Sequence, residues 1–139
     1  MRSANYFFYY SYIGLVAIAG LWGAFINPRF DFRMLFNLDT DTLTDFQRIN
    51  MVSQYRFLRA LELGFGVFSM LFVKHIFSEK KFNRLFLFIM GSGVLARITS
   101  IVMDGSPGEL MYFFLGFELV GVAVIYYYSR ILLRQNVIR

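Results

Sequence analysis

Cysteine is absent from this 139-residue chain, and histidine occurs once, at position 75. The first absence excludes disulfides, thiolate metal sites and a cysteine nucleophile. With one histidine, beside Lys74 at the end of an apolar block, no second His or Cys exists to build a metal centre. Ser69, Ser92 and Ser100 lack a histidine base, so a serine-hydrolase triad requires a partner protein to complete it. Charge is also scarce: 17% of residues are charged and 58% are hydrophobic, against roughly 25% and 45–50% in soluble domains. A further shortage lies within the apolar blocks, which have almost none of the polar stripe expected on helices of a soluble bundle.

What is there is four such blocks, at Tyr6–Ile26, about Ser53–Val73, Leu85–Met103 and Leu110–Tyr128. Each approaches the roughly 20 residues that carry a helix across about 30 Å of hydrocarbon. The expected fold is therefore all-α: an integral membrane four-helix bundle, antiparallel and up-down, forming one transmembrane domain over 1–139. Arg2 followed by an apolar run and "AIAG" (17–20) imitates a signal peptide. The run is long for that purpose, and Tyr6, Tyr9, Tyr10 and Tyr12 suit interface anchors, so a retained span is expected.

The net charge of +5 does not read as a nucleic-acid surface, because basic residues gather at block ends. Arg2, Lys74, Lys80, Lys81, Arg84, Arg130, Arg134 and Arg139 fall on one side. Arg29, Arg33 and Arg48 fall on the other, offset by Asp31, Asp39, Asp41 and Asp45. The positive-inside rule then places both termini in the cytoplasm. Arg130 and Arg134 suit contacts with lipid headgroups, and Tyr126, Tyr127 and Tyr128 an aromatic belt. The acidic run Asp39, Asp41 and Asp45 reads as solvated and capping rather than as a hard-cation site.

Two connections carry local signals. In 27–44, "NPRFDFRMLFNLDTDTLT", Pro28 breaks the first helix, and Phe30, Phe32, Leu35, Phe36 and Leu38 are expected on the membrane surface. "TDFQ" (44–47) then has the spacing of a capping box, opening a helix of about 29 residues. In "DGSPGEL" (104–110), Asp104–Gly105 ends one helix, Ser106 is expected as N-cap, Pro107 at the first helical position and Glu109 as the reciprocal cap. The "GSPG" element lacks the Lys–Ser/Thr pair of a phosphate loop.

Five further charges fall inside the blocks: Arg56, Arg59, Glu62, Arg97 and Glu118. At about 1.5 Å per residue, Arg59 and Arg97 sit roughly 9 Å below the external boundary and Glu62 and Glu118 roughly 13 Å. Arg56, only about 4 Å in, can snorkel outward. Three stripes are expected to face inward: Arg59, Glu62, Gly66 and Ser69; Met90, Gly93, Arg97, Ser100 and Asp104; and Glu118, Gly121 and Ser129. Ala19 and Gly23 are expected to supply the small face of the first span. Each unpaired charge at mid-helix costs about 2.5–3.5 kcal/mol on the insertion scale, so Glu118 is expected to meet Arg97 or Arg59. Such a set serves as a structural lock, a ligand or proton site, or a contact with a partner membrane protein.

"FNLDTDTLTDFQRINMVSQYRFLRALELGFGVF" (36–68) and "GVLARITSIVMDGSPGELMYFFLGFELVGV" (93–122) resemble family 4345 of the domains of unknown function, small bacterial membrane proteins with four predicted spans. The matching positions are Arg59-Ala60, Ala96-Arg97 with Ser100, Asp104-Gly105 with Pro107, and Glu118. Glu62 departs from the pattern, which is usually apolar there. The resemblance implies an inner-membrane location and brings no biochemical activity with it.

Three functions follow as expectations. First is a non-catalytic accessory or scaffold subunit of a membrane complex, with membrane lipids and another membrane protein or itself as partners and no cofactor. Second is a binding or transport protein for a small amphiphile, using the Arg/Glu cluster with Asp104. Third is a lipid-modifying enzyme with Glu118 or Asp104 as acid/base.

Overall fold

Pro28 supplies no backbone N–H, and the first long helix ends just before it. The computed structural model describes residues 2–135. Arg139 lies outside the described residues, as do the side chains of Arg2 and Arg134. The elements are α1 (Arg2–Leu21), α2 (Pro28–Phe36), α3 (Asp45–Leu71), α4 (Val73–Ser78), α5 (Lys80–Asp104) and α6 (Glu109–Gln135). A π-helical turn (Trp22–Ile26) extends α1, and a 3-10 turn (Thr40–Thr42) precedes α3. Among the described residues there is no strand.

Three helical stretches are long and apolar enough to cross a membrane: Ser3–Ile26, Lys80–Asp104 and Glu109–Leu133. Helix α3, with 27 residues, is about 40 Å long. It is not among the three because every eighteen-residue stretch of it contains Arg56, Arg59 and Glu62.

The chain forms two compact units, one of residues 13–70 and one of 1–12 with 71–139. In the first, the second half of α1 lies directly against α3. A Cβ added to Gly20 would stand 2.6 Å from the Leu63 backbone nitrogen and 2.8 Å from the Arg59 carbonyl, so only glycine fits this approach. Gly66 repeats the arrangement against Ala17. Gly20 and Gly23 meet α3 directly, Ala17 meets Gly66, and Ala19 is half-buried beside them.

The segment after α1 is ordered by its own caps. Asn27 accepts a hydrogen bond from the Phe30 N–H, and Asn37 takes a left-handed conformation (φ 50°) that ends α2. Phe32 is buried, Leu35 and Leu38 half-buried, and Phe30 and Phe36 exposed. The predicted capping box at Thr44 is present in both directions. Gln47 N–H donates to Thr44 Oγ1 at 3.4 Å, and Thr44 N–H to Gln47 Oε1 at 3.2 Å.

In the other unit, α5 and α6 form a hairpin over Gly105–Gly108, where Gly105 adopts φ 107°, a value side chains rarely take. Helix α6 opens at Glu109, two residues later than the capping-box spacing predicts. Ser106 Oγ instead lies 3.0 Å from Tyr112 Oη, Pro107 stays outside the helix, and Glu109 keeps a first-turn position.

An aromatic core fills the opposite end of this unit. Tyr9 is fully buried, with its ring centroid 5.2 Å from both Phe77 and Phe86, and Tyr128 packs on Tyr6 and Phe77. Tyr9 and Tyr128 are thus core residues and not interface anchors, whereas Tyr10, Tyr126 and Tyr127 are exposed.

Candidate functional site

The charges inside the long helices close into two separate sets. In the 13–70 unit, α2 brings Asp31 to α3. The Tyr55 hydroxyl donates to Asp31 Oδ2 at 2.9 Å, and Arg59 Nε–H donates to Tyr55 Oη at 2.8 Å. Arg59 Nη1 reaches Glu62 Oε2 at 2.6 Å, and its Nε lies 3.8 Å from Asp31 Oδ2. The Arg59 and Asp31 side chains are 15% and 8% exposed, so the two charges are taken out of solvent together. Gly23 admits them, because a Cβ there would stand 2.7 Å from Arg59 Cγ and 2.8 Å from Asp31 Oδ2. The Arg59 guanidinium also lies over the Tyr55 ring at 4.9 Å.

In the other unit, the α5–α6 hairpin sets Arg97 opposite Glu118. Arg97 Nε donates to Oε2 at 2.8 Å and Nη2 to Oε1 at 3.1 Å, a bidentate fork. Met111 Sδ stands 3.6 Å from Nη1, and the Phe114 ring lies 5.8 Å from the guanidinium carbon. Glu118, placed by the sequence opposite Arg97 or Arg59, thus meets Arg97. Arg59 is held by Glu62, Tyr55 and Asp31.

Asp104 does not join either set. It accepts from Ser100 Oγ at 2.8 Å, two turns along α5 from Arg97, and both residues are exposed. The expected stripe on α5 is buried at Met90, half-buried at Arg97, and exposed at Gly93, Ser100 and Asp104. The buried face runs instead through Asn83, Phe86, Met90 and Val94. On α3, Gly66 and Ser69 are buried as expected, and on α6 so are Gly121 and Ser129.

Asp31 and Tyr55 are the members that sequence reasoning missed. Asp31 reads as a water-facing partner of nearby arginines, yet Pro28, Asp31, Phe32 and Leu35 follow the i, i+3, i+4, i+7 spacing of one helix face. That spacing was the available signal.

The remaining charged clusters are surface pairs. Asp39 meets Arg33, Asp41 meets Arg29 and Arg33, and Asp45 meets Arg48. The Asp41 backbone N–H, aided by Arg33, holds the Asp39 carboxyl below the usual carboxylate range. His75 Nδ1 lies 2.6 Å from Glu79 Oε1. Among the described residues, no group of three or more His, Cys, Asp or Glu is placed to hold a metal ion.

Where α1 ends, a fifth charge does backbone work. Asn27 N–H bonds the Trp22 carbonyl at 3.0 Å across the π turn. The Ala24 carbonyl would receive its α-helical bond from residue 28, a proline. Arg56 Nη1 donates to that carbonyl instead. Arg56 thus reaches inward to α1 where the sequence suggested snorkelling toward water.

No curated protein and no solved structure matches the chain. The model of one family does match, over residues 4–129. That span takes in both charge sets, the glycine-lined approach of α1 to α3 and the α5–α6 turn, so the chain belongs to the family described as Domain of unknown function (DUF4345).

Proposed function

We propose that the chain is one transmembrane domain crossing the bilayer four times, with both termini in the cytoplasm. In this reading it serves as a non-catalytic accessory or scaffold subunit of a larger assembly in a bacterial inner membrane. The observation that carries this reading is the closure of both charge sets on the chain's own groups. Arg97 spends its fork on Glu118, and Arg59 is shared among Glu62, Tyr55 and Asp31. Charges matched in this way stabilise a helix arrangement and leave no activated acid, base or nucleophile for a reaction.

The same matching supports α3 as the fourth span. Its net intramembrane charge is offset by Asp31 from α2 and by the Ala24 carbonyl, which lowers the burden that separates α3 from the three more apolar helices. The excess of Lys and Arg around α4, the start of α5 and the end of α6 supports cytoplasmic placement of those ends.

An amphiphile carrier that used Arg59 and Arg97 would have to displace carboxylates already bound to them, which makes it the weaker reading. An enzyme using Glu118 or Asp104 is weaker still, since one is forked by an arginine and the other holds Ser100.

The test is native extraction in mild detergent, followed by mass determination of the intact complex. A stoichiometric partner protein or a defined homo-oligomer is expected. A lone monomer that recovers no partner at any detergent concentration would sink the proposal.

A further inference from the structure

A groove of about 500 Å³ opens where α1 ends and α2 begins, facing α3. Three arginines line it, Arg29, Arg48 and Arg56, together with apolar surface from Pro28, Ile49 and Val52. No carboxylate lines it. We infer that this groove binds the phosphate of a membrane phospholipid at the lipid–water boundary.

Three features converge on that chemistry. The first is the donor count. An arginine carries five N–H donors, and the described contacts occupy a single nitrogen on each: Nη1 of Arg29 on Asp41, Nη2 of Arg48 on Asp45 and Nη1 of Arg56 on the Ala24 carbonyl. The remaining edges can fork onto the oxygens of one phosphate.

The second is the balance of charge. Asp41 and Asp45 offset Arg29 and Arg48 from outside the groove, but Arg56 faces only a neutral carbonyl. The nine-residue helix α2 adds the partial positive charge of its N-terminus, where Asn27, Pro28 and Arg29 all line the groove.

The third is position. Arg56 stands near the outer end of the apolar block of α3, while Ile26 and Ile49, both exposed, border the groove. A phosphate held here leaves its acyl chains against apolar surface, which a soluble anion does not use.

This inference rests on the reading that α1 and α3 cross the bilayer. The detergent-solubilised chain is titrated with dihexanoyl phosphatidylglycerol, with dihexanoylglycerol and with inorganic phosphate, and binding is followed by native mass spectrometry and by thermal unfolding. Phosphatidylglycerol should bind and raise the unfolding temperature. The Arg29→Gln/Arg48→Gln pair should weaken that binding tenfold or more, and Arg33→Gln, on α2 with Arg29 but outside the groove, should leave it unchanged. Arg56→Gln should abolish binding. Because that change also removes the donor to Ala24, the Arg29→Gln/Arg48→Gln variant is the deciding one.

Equal binding of dihexanoylglycerol, saturation by inorganic phosphate at the same concentration, or full affinity in the double variant would each overturn the inference. Carbonate extraction separates this from failure of the underlying reading. A chain released from membranes overturns the membrane assignment, whereas a retained chain indifferent to phosphatidylglycerol overturns the site alone.

Discussion

Arg97 and Glu118 illustrate what one ion pair does in an apolar setting. Each is tolerable because the other is there, so loss of one partner should hurt more than loss of both. Arg97→Ala or Glu118→Ala should lower stability by about 3 kcal/mol, whereas Arg97→Met with Glu118→Leu should come near neutrality. Unfolding in a denaturing detergent titration measures both, and the exchange Arg97→Glu/Glu118→Arg should restore most of the single-variant loss. A different residue-scale prediction concerns acid. Asp39 has a lowered carboxyl pKa through the Asp41 N–H and Arg33, so its contribution is full above the ordinary carboxylate range near pH 4 and is lost as pH falls from there through the lowered value. Carbon-13 carboxyl shifts of labelled protein should give Asp39 a lower midpoint than Arg33→Gln protein does.

At the scale of elements, contact between helices depends on missing side chains. Gly20 touches the α3 backbone directly, so Gly20→Leu should force the helices apart and destabilise the unit by about 1–3 kcal/mol or more. Gly14, which would meet nothing within 4 Å, is the control, and Gly14→Leu should be close to silent in the same unfolding assay. Element positions are also where sequence reading succeeded and failed most clearly. The apolar runs of α1, α5 and α6 were legible because length and composition suffice to define them. So was the Thr44–Gln47 cap, whose bonds are local. Gly20 was not legible as the contact point, because small residues stand at 17, 19, 20, 23 and 24 and nothing local says which of them faces α3. Asp31 and Tyr55 escaped because their partnership spans 24 residues, and no pattern within either helix specifies it. Ser106 had the right neighbours for a cap, but the turn at Gly105 carries the chain past it before the helix starts.

For the molecule as a whole, orientation is the property most open to a direct test. A chain without cysteine is a ready background for single substitutions. Thr42 and Ser78 are both exposed and lie on either side of α3. Thr42→Cys should react with an impermeant maleimide in intact cells, and Ser78→Cys only after permeabilisation. Equal labelling of both would exclude a spanning α3. The family pattern made Arg59, Arg97 and Glu118 legible as a group. What it did not convey is that Arg59 and Arg97 belong to different sets, each with its own carboxylates.

The π turn at Trp22–Ile26 amounts to one surplus residue wound into a helix. Deleting a single residue from it would let α-helical winding resume while the turns on either side keep their phase, because the π turn takes up its extra residue within one wide turn. The bare patch at Gly20 would then stay on Leu63. The same deletion made in the regular winding at Gly14 would turn every residue before it by about 100°, and should damage the protein more when the two deletion variants are unfolded side by side.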